Sequence, residues 1–275
     1  MRDAVLLANR LLAKAEPLRR RDQLTAMTRA FDGLAVLEVG GPSRIFMHGG
    51  LLPVYERLAA HDMADYAEST LWDVHRPGSV TPRRQFLAEA GHLGVPDSAY
   101  GGLLASHVLE HLANPLAALR EWRRVVVDSG PLLIVVPHRD YTFDHRRAVT
   151  PIEHLVEDEL AQVGEDDLTH VEEILAHHDP RHDHFEGSWE AFAQRCRDNA
   201  TNRGLHHHVF VTRSAAEAVA VAGLRPQIVT ARRPHHVAIL ATGGVRDGRD
   251  DDELERTIAR ALAKSPFPSD AGRRS

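Results

Sequence analysis

The sequence is poor in cysteine, in long apolar runs and in positive charge. Cys196 is the single cysteine among 275 residues, which excludes an intramolecular disulfide framework and a thiolate metal cage. We therefore expect a cytoplasmic protein. No apolar run approaches the roughly 20 residues that a membrane-spanning helix needs, so no membrane span is expected. The net charge is -6, and because nucleic-acid binding requires a clustered basic face, we expect no nucleic-acid partner.

Histidine is the residue type in excess. The chain has 19 histidines, and many of them lie between His138 and His208. Imidazole groups titrate near neutral pH and bind divalent metals, so this region is a candidate acid/base or metal site, although surface histidines could account for part of the excess. A hydrophobic share of 43% and a charged share of 26% are typical of one soluble domain with an inserted or appended piece.

The stretch 101–154 organises the rest of the chain. Its short apolar runs, Leu103–Ser106 and Leu132–Val136, predict buried strands, and Asn114 with Pro115 predicts the start of a helix between them. A strand-helix-strand crossover belongs to a parallel sheet, which binds ligands at the carboxyl ends of its strands. The polar residues at these two ends are Ser106, His107, Glu110, His111, His138, Asp140, Asp144 and His145.

A glycine turn follows the first predicted strand, Leu34–Val39. The turn consists of Gly40, Gly41, Pro42 and Ser43. Glycine lets the backbone approach a ligand closely, and the preceding acid, Glu38, can anchor a charged or hydroxylated cofactor. A tight turn that binds no ligand explains the same residues about equally well.

The next elements are expected to be a crossover helix and a second strand. The spacing predicts the helix over Leu51–Ala60, and the strand follows it with Asp62 and Asp65. A doubly wound fold often places at this strand end the carboxylate that binds ribose hydroxyls, and we favour Asp65. Residues 72–84 are rich in turn formers and predict a loop.

A helical insertion is predicted after the fifth strand. The next helix of a minimal fold, Ala215–Ala222, starts far downstream, and so long a segment without structure is uncommon in a compact domain. Within it, helices are predicted over Pro151–Leu160 and from Ser188 to Asn202. The remaining elements are two strands, Leu224–Ala231 and His236–Ala241, a helix over Asp251–Lys264, and a disordered tail from Ser265.

One stripe in the insertion is a candidate metal site. On a continuous helix through EDDLTHVEEILAHHD, Asp166, His170, Glu173 and His177 fall on one face. Two histidines and two carboxylates resemble a divalent-metal ligand set, and a polar wall for sugar hydroxyls or a plain solvated face fits equally well. His154 and Asp158 could extend this site. In the run His206–His208, the first and third side chains are expected to share one side, as in an extended segment.

The segments LEVGGPS, SHVLEHLANPLAALREWRRVV and SGPLLIVVPH resemble the class I S-adenosylmethionine-dependent methyltransferases in order and spacing. The resemblance implies an α/β fold, a Rossmann-like, seven-stranded, doubly wound sheet with a helical insertion after strand 5. It also implies that S-adenosyl-L-methionine is the cofactor. The implied cofactor-binding residues are Glu38, Gly40, Gly41 and Pro42 for the amino-acid portion, Asp65 for the ribose, Glu89 for the adenine, and Ser106 with His107 beside the methionine.

The predicted organisation has three parts. They are an N-terminal helical segment (1–30), a methyltransferase domain (31–245) with a lid or substrate insertion at about 139–205, and a C-terminal helix with a disordered tail (246–275). Segments PHRDYTFDHRR and LHHHVF resemble a bacterial subgroup of these enzymes associated with glycan synthesis. The acceptor is therefore expected to be a glycan or other small molecule.

The predicted reaction is O-methylation of a sugar or other polyhydroxylated metabolite. A hydroxyl needs a general base or a metal ion to become a nucleophile at neutral pH. The candidate catalytic residues are His138, His145, His170 and Asp144, and a divalent metal is a possible second cofactor. The alternatives are a protein of this fold with metal- or histidine-dependent lyase or hydrolase chemistry, and a non-enzymatic binding module. Dinucleotide-dependent oxidoreductase chemistry fits less well.

Overall fold

The computed structural model of the chain describes residues 18–183, 187–244 and 248–272. Its strands are Ala35–Val39 (β1), Ala60–Asp65 (β2), Arg84–Leu87 (β3), Gly102–Ser106 (β4), Pro131–Pro137 (β5), Arg225–Arg232 (β6) and His236–Thr242 (β7). They form one seven-stranded sheet in the order β3-β2-β1-β4-β5-β7-β6. β7 is antiparallel to both of its neighbours, and the other pairs are parallel. The predicted Rossmann-like fold is confirmed.

The helices cover both faces of this sheet and build the insertion. They are Leu18–Arg29 (α1), Pro115–Val125 (α2), Ile152–Ala161 (α3), Val171–His177 (α4), Trp189–Arg197 (α5), Asn199–Asn202 (α6), Thr212–Val221 (α7) and Gly248–Leu262 (α8). The predicted N-terminal helical segment is described only from Leu18 onward, so residues 1–17 of that prediction lie outside the described residues. No helix among the described residues is long and apolar enough to cross a membrane.

The helix after β4 illustrates why these residues fold as predicted. The Asn114 side chain accepts a hydrogen bond from the backbone N–H of Ala117 at 3.1 Å, and Pro115 occupies the first turn. Leu116, Leu119 and Trp122 recur at helical spacing and are fully buried against the sheet. Burial of this face fixes the position of the loop between β4 and α2. That loop carries Glu110 and His111.

The other face of the sheet packs on a second apolar cluster that includes Met27, Phe31 and Phe46. The crossover helix expected over Leu51–Ala60 is wrong, because this segment forms only a 3₁₀ turn at Tyr55–Arg57 before β2 begins. The backbone N–H of Leu52 bonds back to the carbonyl of Ile45 at 2.9 Å. The backbone of this segment therefore bonds to the preceding turn instead of forming helical hydrogen bonds. Pro53 also disfavours a helix interior, because proline has no backbone N–H to donate.

The insertion between β5 and α7 contains α3, α4, α5 and α6, as the gap in the sequence predicts. It has its own small apolar cluster of Val171, Ile174, Phe192, Cys196 and Leu205. After this cluster the chain returns to the sheet through three buried histidines at positions 206–208. The insertion therefore combines a modest apolar core with a polar boundary to the rest of the domain.

The C-terminal segment is ordered over residues 265–272, so the prediction of a disordered tail from Ser265 is wrong for this part. Phe267 is only 1% exposed and stacks on His138 with ring centroids 4.0 Å apart. The backbone N–H of Ser269 donates to the Asp140 carboxylate at 2.8 Å. The tail has low overall hydrophobicity, so the sequence did not predict that one aromatic residue, Phe267, packs the segment over the end of β5.

Candidate active site

The turn after β1 packs on the buried side chain of Glu38. This carboxylate is fully buried and accepts hydrogen bonds from the Tyr55 hydroxyl at 2.9 Å and from the backbone N–H of Ser43 at 3.0 Å. His61 Nε2 lies 2.7 Å from the same group. Glu38, which the sequence-based expectation assigned to the cofactor, has no exposed surface in this structure and supports the loop through these hydrogen bonds.

The glycines of this turn are required by close contacts. Gly40 has φ +73°, and a Cβ there would lie 2.6 Å from Cγ2 of Val108. A Cβ on Gly41 would lie 2.0 Å from the carboxyl carbon of Glu38. Pro42, which follows through a cis peptide bond, is buried. The turn therefore fits tightly between β1 and the loop after β4, with Gly40 and Ser43 left partly exposed.

The predicted ribose and adenine carboxylates both have partners within the chain. Asp65, at the end of β2, is 5% exposed, pairs with the guanidinium of Arg76 and accepts from the backbone N–H of Tyr66 at 2.8 Å. Burial raises the pKa of Asp65, and Arg76 opposes that change. Glu89 is exposed and pairs with Arg203 of the insertion at 2.9 Å. A nucleoside at these positions would meet two carboxylate–arginine pairs.

Two serines and a histidine lie at the carboxyl ends of β1 and β4. The Ser43 and Ser106 hydroxyls are 3.2 Å apart. His107 follows with φ +55°, a left-handed conformation that non-glycine residues adopt at a cost and that clusters at functional sites. Its Nε2 lies 3.0 Å from Nδ1 of His236, and its Nδ1 lies 3.3 Å from Oε1 of Glu110. The predicted pair Ser106 and His107 thus lies beside the glycine turn.

Glu110 forms the centre of a buried polar group with His111 and His206. One potential ligand atom from each of the three residues lies within 4.8 Å of the other two. Glu110 has no exposed surface, and neither carboxylate oxygen has a hydrogen-bond partner among the described residues. His111 Nε2 is 3.9 Å from Oε1 of Glu110, while His111 Nδ1 is 2.8 Å from the carbonyl oxygen of Leu205.

Asp144 and Arg147 hold the third member of this group. His206 Nδ1 lies 2.5 Å from the Asp144 carboxylate, and Arg147 donates to the same carboxylate at 3.0 Å. Arg147 also donates to the backbone carbonyls of His206 and His207, at 2.7 and 3.2 Å. All three side chains are at least 90% buried. Asp144 is therefore a positioning residue that fixes the His206 ring and leaves Nε2 for the Glu110 side.

The pKa values of Glu110, His111 and His206 are changed in different directions by their surroundings. Burial alone would raise the pKa of Glu110, but His107, His111 and His206 outweigh burial and lower it. Burial lowers the pKa of His111 to about 4. Burial also opposes protonation of His206, but the Asp144 carboxylate outweighs it and raises the pKa of His206. Around neutral pH the group presents an ionised carboxylate beside a neutral His111.

The other candidate bases lie elsewhere. His138 is fully buried, stacks on Phe267, and has Nε2 3.3 Å from Asp270, so its ring is enclosed by the C-terminal segment and lies apart from the Glu110 group. His145 is grouped with Asp179 and His182. His170 lies in the insertion, near His154 and His208. Of the four predicted catalytic residues, only Asp144 belongs to the Glu110 group.

The predicted metal stripe does not form. α4 starts at Val171, so Asp166 lies in the preceding turn and the assumption of one continuous helix fails. Asp166 and His177 are exposed, and Glu173 accepts a hydrogen bond from Arg147 at 3.2 Å. Among the described residues, His170 converges instead with two sets, His154 with His208 and Asp167 with His207.

The three consecutive histidines also differ from the expected pattern. His206 faces Asp144 and the Glu110 group, whereas His207 and His208 both approach His170. The extended-segment rule predicted that the first and third would share a side, and that prediction is wrong. The sequence signal for this site is the pair Glu110 and His111, in the loop that follows β4. The sequence does not indicate that His206, which lies 95 residues after His111, packs against this pair.

Comparisons with known proteins agree with this architecture. Residues 49–134 match the family model described as a methyltransferase domain, a range that covers β2 and the loop after β4 but not the glycine turn. No curated protein sequence gives a significant match. Over this range, which is less than half of its length, the chain is therefore similar to methyltransferases.

Several solved structures have a similar architecture at low identity. A putative S-adenosylmethionine-dependent methyltransferase from Listeria monocytogenes is 16% identical, with 81% of this chain and 97% of that chain covered and a TM-score of 0.45. A similar enzyme from Mesorhizobium loti is 15% identical, with coverages of 80% and 95% and a TM-score of 0.47. The Burkholderia thailandensis 1,6-didemethyltoxoflavin N1-methyltransferase, solved with S-adenosylhomocysteine, is 13% identical, covers 88% of each chain and has a TM-score of 0.45.

The residues at the strand ends fit the cofactor of this class, S-adenosyl-L-methionine. The glycine turn brings its backbone close to the loop after β4, where side chains larger than hydrogen have no room. Ser43 and His107 present partly exposed polar groups beside the glycine turn, and the buried Ser106 hydroxyl lies 3.2 Å from that of Ser43. These groups adjoin the Glu110 group, because Nδ1 of His107 lies 3.3 Å from Oε1 of Glu110.

Proposed function

We propose that the chain transfers a methyl group from S-adenosyl-L-methionine to a hydroxyl group, assisted by a divalent cation held by Glu110, His111 and His206. The observation that carries this proposal is the fully buried Glu110 carboxylate, on which two histidines converge and whose nearby His107 Nδ1, at 3.3 Å from Oε1, does not form a hydrogen bond of good geometry. Burying an ionised carboxylate with so few polar contacts is costly, and a bound cation would offset that cost.

The outer contacts of the two histidines support cation binding. A metal-bound histidine usually donates its second ring N–H to a carbonyl or a carboxylate, which fixes the ring. His111 has such a contact with the Leu205 carbonyl at 2.8 Å, and His206 has one with Asp144 at 2.5 Å. Two histidines and one carboxylate on one side of a cation leave positions open for substrate oxygen.

The cofactor supplies the electrophilic methyl group. The residues of this chain align the acceptor and lower the pKa of its hydroxyl. A hydroxyl is a weak acid, and a cation or an adjacent base overcomes this difficulty. Gly40, Ser43, Ser106 and His107 would hold the donor, and the Glu110 group would bind the acceptor oxygen on the neighbouring side. Enclosure by the insertion would exclude water from the transfer.

The proposed acceptor is a sugar or another polyhydroxylated small molecule. Vicinal hydroxyls can bind a cation through two oxygens, and the surrounding insertion is rich in histidine and carboxylate groups that can bind further hydroxyls. The resemblance of the 137–147 and 205–210 segments to enzymes of glycan synthesis favours the same class. We retain cytoplasmic location as part of this proposal.

The test is a calorimetric titration of the purified protein with S-adenosylhomocysteine, followed by a methylation assay on a panel of sugars with Mg²⁺, Mn²⁺ or a chelator. We expect one-to-one binding of S-adenosylhomocysteine and a product heavier than its acceptor by the mass of one methylene. Activity should vanish in the chelator and return when the cation is added back. Lack of S-adenosylhomocysteine binding would contradict the donor part, and full activity in the chelator would contradict the cation part.

A rival function is lyase or hydrolase chemistry at the same group without methyl transfer. The fit of the glycine turn to the loop after β4 favours methyl transfer, because a protein that no longer binds the donor has no need of this close contact. The mass of the product separates the two, since cleavage yields fragments and methylation yields a heavier acceptor. A non-enzymatic binding module would bind S-adenosylhomocysteine and convert no acceptor in the panel.

A further inference from the structure

A second group of potential metal ligands lies inside the insertion and shares no residue with the Glu110 group. It consists of His154 on α3, His170 directly before α4, and His208 on the segment that returns to the sheet. His154 Nε2 is 3.2 Å from His170 Nε2 and 3.5 Å from Oδ2 of Asp158 on the same helix. Oδ2 of Asp158 is 3.7 Å from Nε2 of His208. Three histidines from three separate segments thus converge, and a carboxylate lies beside two of them.

These separations match a tetrahedral zinc site. Zinc binds histidine nitrogen and carboxylate oxygen at about 2.0–2.2 Å, so two ligands of a tetrahedral ion lie roughly 3.4 Å apart. Three of the six separations in the set, 3.2, 3.5 and 3.7 Å, bracket that value, and the ligand atoms of the three histidines all lie within 4.8 Å of one another. His154 and Asp158 are spaced i and i+4 on α3, which places both side chains on one helix face.

The burial of these groups points to a ligand as well. Asp158 is 8% exposed and its Oδ2 has no hydrogen-bond partner among the described residues. His208 is 1% exposed, and its Nδ1 also lacks such a partner, while its Nε2 lies 3.3 Å from the carbonyl of Ala113. A buried carboxylate oxygen without a hydrogen bond is costly, and Oδ2 of Asp158 lies in this set. The His208 nitrogen that faces it is Nε2, whose contact with the Ala113 carbonyl a bound ion would replace.

His170 has a competing set of neighbours. It also belongs to a group with Asp167 and His207. In that group Asp167 and His207 are 4.0 Å apart at their closest nitrogen–oxygen pair, and Nε2 of His207 lies 3.0 Å from the side-chain amide of Asn199. The set of His154, Asp158, His170 and His208 has shorter separations, and its atom without a hydrogen bond is a carboxylate oxygen, whereas that of the competing set is Nδ1 of His207. It is the better ligand set.

We infer that His154, Asp158, His170 and His208 bind a zinc ion that fastens the insertion to the domain. The ion would join α3, the turn before α4 and the returning segment at 205–209. A site filled by four protein ligands has no open position for substrate, so its role is structural. This inference does not depend on the proposed function.

The test uses the full chain, stripped of metal with a chelator and then titrated with Zn²⁺ and with Co²⁺. The variants are His154→Ala and Asp158→Asn. His154 is only partly buried, so its variant is expected to fold. His177→Ala is the matched control because it removes an exposed histidine of α4 outside the group. Glu110→Gln serves as the control for the other centre.

We expect Co²⁺ to give the intense visible absorption of a tetrahedral site, and Zn²⁺ to raise the melting temperature of the stripped protein. His154→Ala and Asp158→Asn should weaken this site by about 100-fold or more, since even outer-shell partners are worth about 10–100-fold. His177→Ala and Glu110→Gln should leave the tetrahedral signal unchanged. Unchanged metal binding in both His154→Ala and Asp158→Asn would overturn the inference.

The stoichiometry separates this inference from the proposed function. If both hold, the wild-type chain binds two equivalents of metal, and Glu110→Gln and His154→Ala each lose a different one. If the Glu110 centre binds none, the wild-type chain binds one equivalent, which only the insertion variants remove. If the insertion binds none, only Glu110→Gln changes the metal content.

Discussion

The sheet with its flanking helices and the inserted segment are stabilised by different kinds of interaction. Around the sheet, fully buried apolar side chains such as Leu119, Trp122 and Ile134 form continuous clusters. In the insertion, five buried apolar residues form a small cluster, and the boundary to the sheet consists of buried charges and histidines around Arg147. Apolar burial depends little on pH or cations, whereas histidine and carboxylate groups respond to both. The insertion is therefore the part of the molecule that solution conditions can loosen.

Glu110→Gln should produce the largest change, because it affects the place where the two regions meet. Glutamine keeps the size of the side chain and removes the charge that a cation needs. We expect methyl transfer to fall by about 10²–10⁴-fold, the usual effect of losing activation of a nucleophile. The assay is turnover at saturating S-adenosyl-L-methionine with added Mg²⁺ or Mn²⁺. Full turnover together with an unchanged metal requirement would show that Glu110 takes no part.

Arg147→Ala should loosen the insertion from within, without unfolding the sheet. Its guanidinium bonds Asp144, Glu173 and the carbonyls at positions 206 and 207. Removing one partner of a buried charge network costs about 3–5 kcal/mol. Hydrogen exchange should become faster over residues 144–210 and stay slow in β4 and β5. Uniform acceleration across both regions would contradict the distinction drawn between them.

Arg146→Ala is the matched control for that experiment. Arg146 is the adjacent residue, its side chain is 47% exposed, and it pairs with Asp179 at 3.1 Å. Because exposed ion pairs contribute about 0–1 kcal/mol, its removal should leave hydrogen exchange in the insertion nearly unchanged.

The stability of the metal-free insertion should fall in mild acid. Burial lowers the pKa of His207 to about 3, against about 6.5 in an unfolded chain. Below pH 6.5 His207 therefore binds more protons in the unfolded state than in the folded state, so its contribution to stability decreases as pH falls from about 6.5 to 3 and is constant above about 6.5. The slope is about 1.4 kcal/mol per pH unit. Hydrogen exchange of the chelator-treated protein at several pH values measures this, and His207→Asn should flatten the dependence.

We expect the smallest effects from substitutions in the stripe that the sequence suggested as a metal site. Asp166 and His177 are exposed and share no ligand group among the described residues. Surface substitutions away from special features change stability by no more than about 0.5 kcal/mol. Asp166→Asn and His177→Ala should therefore match the wild type in metal content, melting temperature and turnover. Loss of one metal equivalent in either variant would restore the stripe as a site.

The sequence predicts those strands that carry their own local signal, and the seven-stranded sheet follows from the family resemblance. β1, β4 and β5 are short apolar runs, and the helix at Pro115–Val125 begins with an asparagine cap and a proline. β3, with the sequence RQFL, is largely exposed and was not predicted. The crossover at positions 51–60 was misjudged because its apolar residues recur at helical spacing while its backbone pairs with the preceding turn. In that segment tertiary hydrogen bonding outweighs periodicity.

The site was predictable only in part, for a different reason. Ser106, His107, Glu110 and His111 follow from their position after a predicted strand, and Asp144 follows the next one. His206 reaches the same place through a long chain return, and no local pattern records which of three consecutive histidines faces inward. The stripe failed because a helical wheel requires a helix, and α4 begins only after His170. Long-range contacts of this kind depend on the packed structure.

The most direct test of the cation-assisted site is a crystal structure of the protein grown with Mn²⁺ and S-adenosylhomocysteine, with anomalous scattering recorded for manganese. The account predicts an anomalous peak among Glu110, His111 and His206, with the sulfur of S-adenosylhomocysteine on the side of Ser106 and His107. An empty Glu110 group in crystals that contain S-adenosylhomocysteine and show manganese elsewhere would contradict it.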